Sequence, residues 1–600
     1  MQGFLIILTL LSTIGVMFVF SFWGIRRSNR ARTLEEFLIY NKEVRPPQYT
    51  TTMVAYALQL VVTVYFIYWG FRYGLGVLYY LIFWWLGIFC FELLSPKLVE
   101  FCLGNETLHG YLQFKYGRKW PVRKLAAACT LLGLLGAIII EVNFATDLIA
   151  TFTASITGNQ VDTSLWIALF LTFIIFALWY MTIGGYKASV ITDELQLPIS
   201  IACLVFVLCF ISLLGSYNGF IRESRILLFI CFLYILAILF FRQRNINEQN
   251  EIAASFSNKK TKHLDRMIWS LYLSGIFIII TFFLTLFIKA PNTKPAELQG
   301  AIPLYSLSSL KSQLLSWQDF LVLISFFILD ISWQFVDMAA WQRIESLDTT
   351  NLSRDDVVKR IKSVIRATKW ESPLSWSLGI LLGFGLHYSG LFNNINQAEE
   401  SLQIFVSNIA SLNSPYQLIN LLSLFLLPFL IIAFISIMLS TVDSCISTIT
   451  FSAFSDYGGV ELKEIKQKDT TQKEKLLRYS QLVTFSIVIA GAIAFLIANF
   501  IFKLSPFLII NLAYASQLSL LPSVLYILLV KNTNKTKYHS GIAFWSIIGG
   551  LFGTFIIGIA LSNSKLSDLA YTIPNITCVF MAVTVFLIGL IITRRVKGNK

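Results

Sequence analysis

Residues 418–439 read LINLLSLFLLPFLIIAFISIML, and residues 440–456 continue as STVDSCISTITFSAFSD. The first stretch is long and apolar enough to cross a bilayer. The second keeps the helical pattern but places hydroxyls and a carboxylate where lipid should be, at a cost of several kcal/mol for an unpaired acid. On a helix, Ser436, Ser440, Asp443, Ser447 and Thr450 follow the spacing of one face, with Thr441, Ser444 and Thr448 in a stripe beside it. Such a row of oxygens serves either as glue between helices, bonding to neighbours or back to its own carbonyls, or as a weak site for a small hard cation such as sodium. The residues of this stretch alone leave both open.

The same balance of apolar length and isolated polarity recurs along the chain. Its 600 residues are 56% hydrophobic, with a mean hydropathy of +0.70. Windows of about twenty residues predict about fifteen spans, near 4–23, 49–70, 74–94, 124–153, 164–183, 189–214, 226–241, 267–289, 317–341, 373–391, 418–454, 482–501, 507–530, 539–561 and 571–593. The expected fold class is therefore an all-α polytopic membrane protein. No connection is long enough for a separate soluble domain, so any chemistry belongs inside the bundle or at its edges.

The net charge of +14 does not call for a nucleic-acid partner, because Lys and Arg gather in the short connections, as membrane insertion requires. The first apolar run is followed, not preceded, by the basic GIRRSNRAR, the reverse of a cleaved secretory signal. An odd span count then puts the N-terminus outside and the basic RRVKGNK end inside, and the plasma membrane is the expected location. The connections RQRNINEQNEIAASFSNKKTKHLDR, KEIKQKDTTQKEKLLR and KNTNKTK also fall inside, and SITGNQVDTS and NNINQAEESLQ fall outside. The bilayer and a small solute are the partners to expect, and no obligatory protein partner is indicated. The cysteines lie mostly within spans with no CxxC pair, which suggests neither disulfides nor zinc.

A second signal is TIGGYKASVITDELQLPIS, residues 182–200: two glycines and a lysine make a tight turn, and the next span carries Asp193 about one turn inside. Asp193 here is either a capping acid at a helix N-terminus or an ion ligand. The other acids inside spans are Glu141, Asp330, Asp337 and Asp443.

Together the two stretches resemble the sodium:solute symporter family. GGYKASVITDELQ is similar to its Gly-Gly-x-x-Ala-x-x-x-Thr-Asp-x-x-Gln signature, and STVDSCISTITFSAFSD to its Ser-Ser-x-Asp-Ser ion-binding helix. TLEEFLIYNKEV, TLHGYLQFKYG and WQRIESL are weaker echoes in the right order. The resemblance covers roughly Thr33 to Leu561 and implies a LeuT-like 5+5 inverted-repeat core, with halves at 49–215 and 317–530. Residues 1–48 would add an N-terminal helix and linker, 216–316 an inserted hairpin the family usually lacks, and 531–600 two further helices. Spans 226–241 and 267–289 of that hairpin are the least regular, the first short for a crossing, and a peripheral position is expected, with a mobile connection between them.

Residue by residue, the resemblance implies a main sodium site from the Ser440 and Thr441 hydroxyls and the carbonyls of Ile437, Ala57 and Leu60. A second sodium site, found in some members, would use Asp193, Ser440, Asp443 and Ser444. Sodium would be the coupling ion, with no organic cofactor. The substrate positions carried over are Gln59 and Val64, Glu141 with Asn143, and Asp330 with Trp333 and Gln334. Two acids on one cavity favour a cationic or zwitterionic solute, an amino acid or quaternary ammonium compound, helped by cation–π attraction of about 1 kcal/mol from Trp333, Tyr65 or Phe66. Alternatively Glu141 and Asp330 pair with polar neighbours, or one stays protonated.

The expected function is sodium-coupled solute import by alternating access. A proton carried by Asp193 or Asp443 is the alternative coupling, and a non-transporting solute sensor the alternative class. An enzyme is the weakest reading, since His109, His263, His387 and His539 are scattered and no nucleophile sits with a base.

Overall fold

The computed structural model describes residues 2–28, 31–102, 107–157, 162–217, 219–254, 266–287, 317–350, 352–389, 417–459, 470–501, 506–530, 539–562 and 573–598. Their regular structure is helical; the one β feature among them is an isolated bridge between Val44 and Leu347. In chain order the helices are α1 (Gln2–Ser28), α2 (Leu34–Ile39), α3 (Pro46–Leu58), α4 (Leu60–Tyr73), α5 (Tyr80–Leu93), α6 (Ser95–Cys102), α7 (Leu108–Tyr116), α8 (Val122–Thr157), α9 (Thr163–Tyr217) and α10 (Ile221–Ala254). There follow α11 (Arg266–Phe287), α12 (Trp317–Val336), α13 (Met338–Ser346), α14 (Arg354–Tyr388), α15 (Gln417–Ser452), α16 (Thr470–Phe500), α17 (Pro506–Leu518), α18 (Leu521–Leu529), α19 (Ser540–Ser562) and α20 (Ile573–Gly598). The protein is an all-helical polytopic membrane protein.

Among the described residues, 11 helices are long and apolar enough to cross a membrane, or up to 13 when each bent pair counts as one span. Two of the fifteen expected spans do not stand as separate candidates in that count. The expected spans 164–183 and 189–214 both lie on α9, which the non-helical Gly185 divides into two runs, each long enough to cross a membrane. Helix α14, over most of the expected span 373–391, mixes Ser and Gly with its apolar residues.

Gly185 has φ +59° and ψ −151°, and a Cβ there would stand 2.4 Å from the Phe37 ring and 2.5 Å from its carbonyl oxygen. Only glycine fits both the dihedral and the contact. The TLEEFLIYNKEV segment packs on this bend, where Lys187 pairs with Glu36. Asp193 therefore lies well inside a helix, not at its N-terminus, and the capping reading of that acid falls away.

Without a hydrophobic drive between helices in lipid, close association rests on van der Waals packing. Helices α4 and α14 show this at backbone level: a Cβ at Gly383 would lie 1.9 Å from the Ile67 carbonyl oxygen, and one at Gly70 2.2 Å from that of Ile380.

The inserted hairpin differs from expectation. The helix expected to be short runs from Ile221 to Ala254, because the Arg-, Gln- and Glu-rich stretch after the apolar run is itself a good helix former. It faces lipid along one side, with Phe229, Leu233, Leu236 and Phe240 exposed. It is nonetheless anchored: Arg242, 2% exposed, pairs with Glu371 at 2.8 Å and donates to the Thr51 hydroxyl of α3 at 2.5 Å. Of the connection expected to be mobile, residues 255–265 lie outside the described residues.

Candidate functional site

Two of the helix breaks among the described residues bear on the site. The first lies at Gln59, which adopts φ +35° and ψ 132° between α3 and α4, with a bend of 60°. The second lies at Asp337, between α12 and α13. Each new half-helix begins with free amides that need acceptors, and each receives a carboxylate. The Glu141 side chain accepts from the amides of Leu60 at 2.8 Å and Val61 at 3.2 Å. Asp337 accepts from the Ala339 amide at 3.0 Å and from the Tyr56 hydroxyl at 3.2 Å.

Next to the first break lies the hydroxyl face of α15. Ser440 donates to Asp193 at 2.5 Å, and the other oxygen of Asp193 accepts from Thr52 on α3. One carboxylate thus joins three helices. One turn along α15, Asp443 accepts from Tyr180 at 2.7 Å, Ser189 at 3.0 Å and Thr192 at 3.0 Å, all on α9, and from Ser444 at 3.4 Å.

Between these acids runs a residue whose role the sequence did not disclose. Arg343, fully buried on α13, donates to Ser444 at 2.6 Å, to Thr52 at 3.3 Å and to the Ala339 carbonyl at 3.2 Å. Its guanidinium lies 4.7 Å from the centre of the Tyr56 ring. WQRIESL drew notice only as a weak family echo. The signal available in it was an arginine directly following an apolar stretch. The preceding Gln342 locks α13 in place, donating to the Leu38 carbonyl at 2.8 Å and accepting from Thr448 at 2.8 Å.

No family model matches this chain, and no curated protein matches it. A solved structure does: that of a Na+-coupled sialic acid symporter in a substrate-bound outward-open state, 15% identical, with a TM-score of 0.56 over 97% of this chain and 98% of the other. The chain shares that transporter's fold. At this identity the likeness is one of architecture.

The structure places the sequence-derived residues as follows. Ala57, Leu60, Ile437, Ser440 and Thr441 are all buried, on helices α3, α4 and α15, which pack against one another. The Ala57 carbonyl accepts from the Trp376 indole at 2.7 Å, which leaves it one further lone pair. Thr441 bonds back to the Ile437 carbonyl at 3.3 Å. The second set, Asp193, Ser440, Asp443 and Ser444, forms one network, which also includes Thr52, Tyr180, Ser189, Thr192 and Arg343.

The substrate set is looser. Gln59 sits at the break and accepts from the Tyr514 hydroxyl at 3.4 Å; Tyr514 packs edge-on to Trp333 at 5.0 Å. Tyr514, on α17, was not anticipated. Val64 is fully buried one turn beyond the break. Asn143 turns toward Asp147 at 2.7 Å. Asp330 is 5% exposed and has no hydrogen bond or ion pair among the described residues, and the side-chain nitrogen of Gln334 is likewise unpartnered.

The echo TLHGYLQFKYG and the closing Asp456 meet at one end of α15. Asp456 accepts from His109 at 2.6 Å, Thr107 at 2.6 Å, Arg123 at 2.8 Å and Ser452 at 2.8 Å. Thr107 also caps α7. This cluster ties α7 and α8 to α15.

Proposed function

We propose that the chain is a sodium-coupled symporter of the sodium:solute symporter family, an integral plasma-membrane protein importing a small organic solute by alternating access. The observation that carries this is the link Thr52–Asp193–Ser440, which joins the first interrupted helix to the hydroxyl face of α15 just before the break at Gln59. A sodium ion held by the carbonyls of Ala57, Leu60 and Ile437 and the hydroxyls of Ser440 and Thr441 bridges the same two helices. Ion binding thereby favours the arrangement that accepts solute, a positive coupling through a shared conformational equilibrium. The halves 49–215 and 317–530 then rock against each other. Each charge moved through 100 mV contributes about 2.3 kcal/mol.

Two acids and one arginine leave the Asp193, Asp443 and Arg343 cluster with one formal negative charge. Arg343 already meets Ser444, so we read the second sodium position as partly filled by the protein's own cation. Gln59, Val64, Trp333 and Gln334 line the solute site in this reading, with Asp330 as its charged member.

The purified protein is tested by thermal shift against amino acids, quaternary ammonium compounds, sugars and carboxylates, each in sodium and in potassium. Stabilisation by one solute class, larger in sodium, is expected; equal stabilisation in both salts sinks the coupling. Proton coupling is favoured by one feature, the lone Asp330, which suits an acid that gains and loses a proton. Uptake in sodium-free buffer at constant pH separates the two, and counterflow in liposomes excludes a sensor that moves nothing.

A further inference from the structure

We propose that Glu141 is a tethered occupant of the anion slot at the first helix break, and that it selects for solutes carrying a cation and no carboxylate. This rests on the transport reading above and sharpens its solute class.

The amide end of a half-helix inside a transporter is a ready site for an anionic substrate group, because free amides and the helix dipole both favour negative charge. Here that end is closed. The Leu60 and Val61 amides both bond to the Glu141 carboxylate, at 2.8 and 3.2 Å, and Glu141 has no exposed surface. A tethered group competes at an effective concentration on the order of millimolar or above, so a free carboxylate at lower concentration does not displace it. The second interruption is closed in the same way by Asp337. Neither break offers amides to a carboxylate solute.

The acid on α12 stands without such a partner by contrast. Asp330 and Gln334 are spaced four apart on one face of α12, 5% and 2% exposed. The Gln334 amide nitrogen is buried without a partner, and no hydrogen bond or ion pair among the described residues reaches the Asp330 carboxylate. Trp333 lies between them in sequence and meets Tyr514, which reaches the break at Gln59. A lone acid inside a membrane bundle is costly until a cation arrives. An ammonium group bound there gains a counter-charge and an aromatic neighbour.

The test uses purified full-length protein in sodium buffer, with choline, glycine betaine and acetate as probes, read by thermal shift and by equilibrium binding. For wild type we expect choline to bind at least about tenfold more tightly than betaine, and acetate not to bind. Glu141→Ala opens the amides, so it gains an acetate and betaine response. Glu141→Gln keeps the shape and gains less, and Asp330→Asn loses choline. The shift between potassium and sodium without solute serves as the control for folding and for the transport reading. If that shift is present and wild type binds acetate or betaine as well as choline, or binds none of the three, the inference fails while the sodium reading stands. It fails also if Glu141→Ala keeps the sodium shift but gains no response to carboxylates. If the sodium shift is absent from wild type, the transport reading itself fails.

Discussion

Asp193 and Asp330 are both carboxylates buried inside the helical bundle, and their surroundings are opposite. Asp193 accepts from Ser440 and Thr52, and through Thr52 and Ser444 its cluster reaches the guanidinium of Arg343. Asp330 has no such partner among the described residues. Each oxygen of Asp193 has a donor from another helix, which ties three helices together; Asp330 takes its partner from the solute in the reading proposed above. Buried polar groups are ordinarily hydrogen-bonded, and the exception calls for an explanation, which a bound cation would supply.

The sharpest way to break this contrast is Arg343→Met. It leaves two acids in one buried cluster without the guanidinium, and a loss on the order of 3–5 kcal/mol is expected in thermal unfolding. Arg343→Lys keeps the charge but not the fork and should fall between. A near-neutral Arg343→Met would show that the cluster does not depend on its own cation.

Asp330→Asn should do the reverse, removing an unpaired buried charge and so costing no stability while lowering solute kcat/KM by about a hundredfold, close to 3 kcal/mol of lost binding. A clear loss of stability without a change in uptake would place Asp330 in the framework and erase the difference between the regions.

Thr441→Ala and Ser440→Ala come next. Each should raise the sodium concentration for half-maximal uptake by about tenfold, the loss of one ion ligand worth about 1.4 kcal/mol. Ser440→Ala should also destabilise more, since Ser440, unlike Thr441, bonds to Asp193. The smallest expected effect is Tyr180→Phe, which removes one of several hydroxyls on Asp443; about 1 kcal/mol of stability should go, with sodium dependence unchanged.

The self-satisfied region was largely legible in the sequence. Hydroxyls at helical spacing and an acid in the GGYKASVITDELQ stretch announce polar faces that must meet something, and Ser440 and Asp193 do meet. Arg343 escaped because its partners lie on α3 and α15, far away in sequence, and spacing along one helix does not report them. For Glu141 the sequence leaves a solute and polar neighbours both open as partners, since an acid in a span looks the same whether it meets a solute or the amide end of another helix. The extent of α10 was missed because hydropathy marks where a helix leaves the apolar layer, not where it stops.

The central claim is that a dehydrated sodium ion sits where α3, α4 and α15 meet. Radiolabelled sodium binding to the purified protein tests it most directly. The account predicts saturable binding that unlabelled sodium displaces and potassium does not, weakened in Thr441→Ala and retained in Tyr180→Phe. Absence of saturable binding by folded wild-type protein, or binding that Thr441→Ala and Ser440→Ala both leave unchanged, would contradict it.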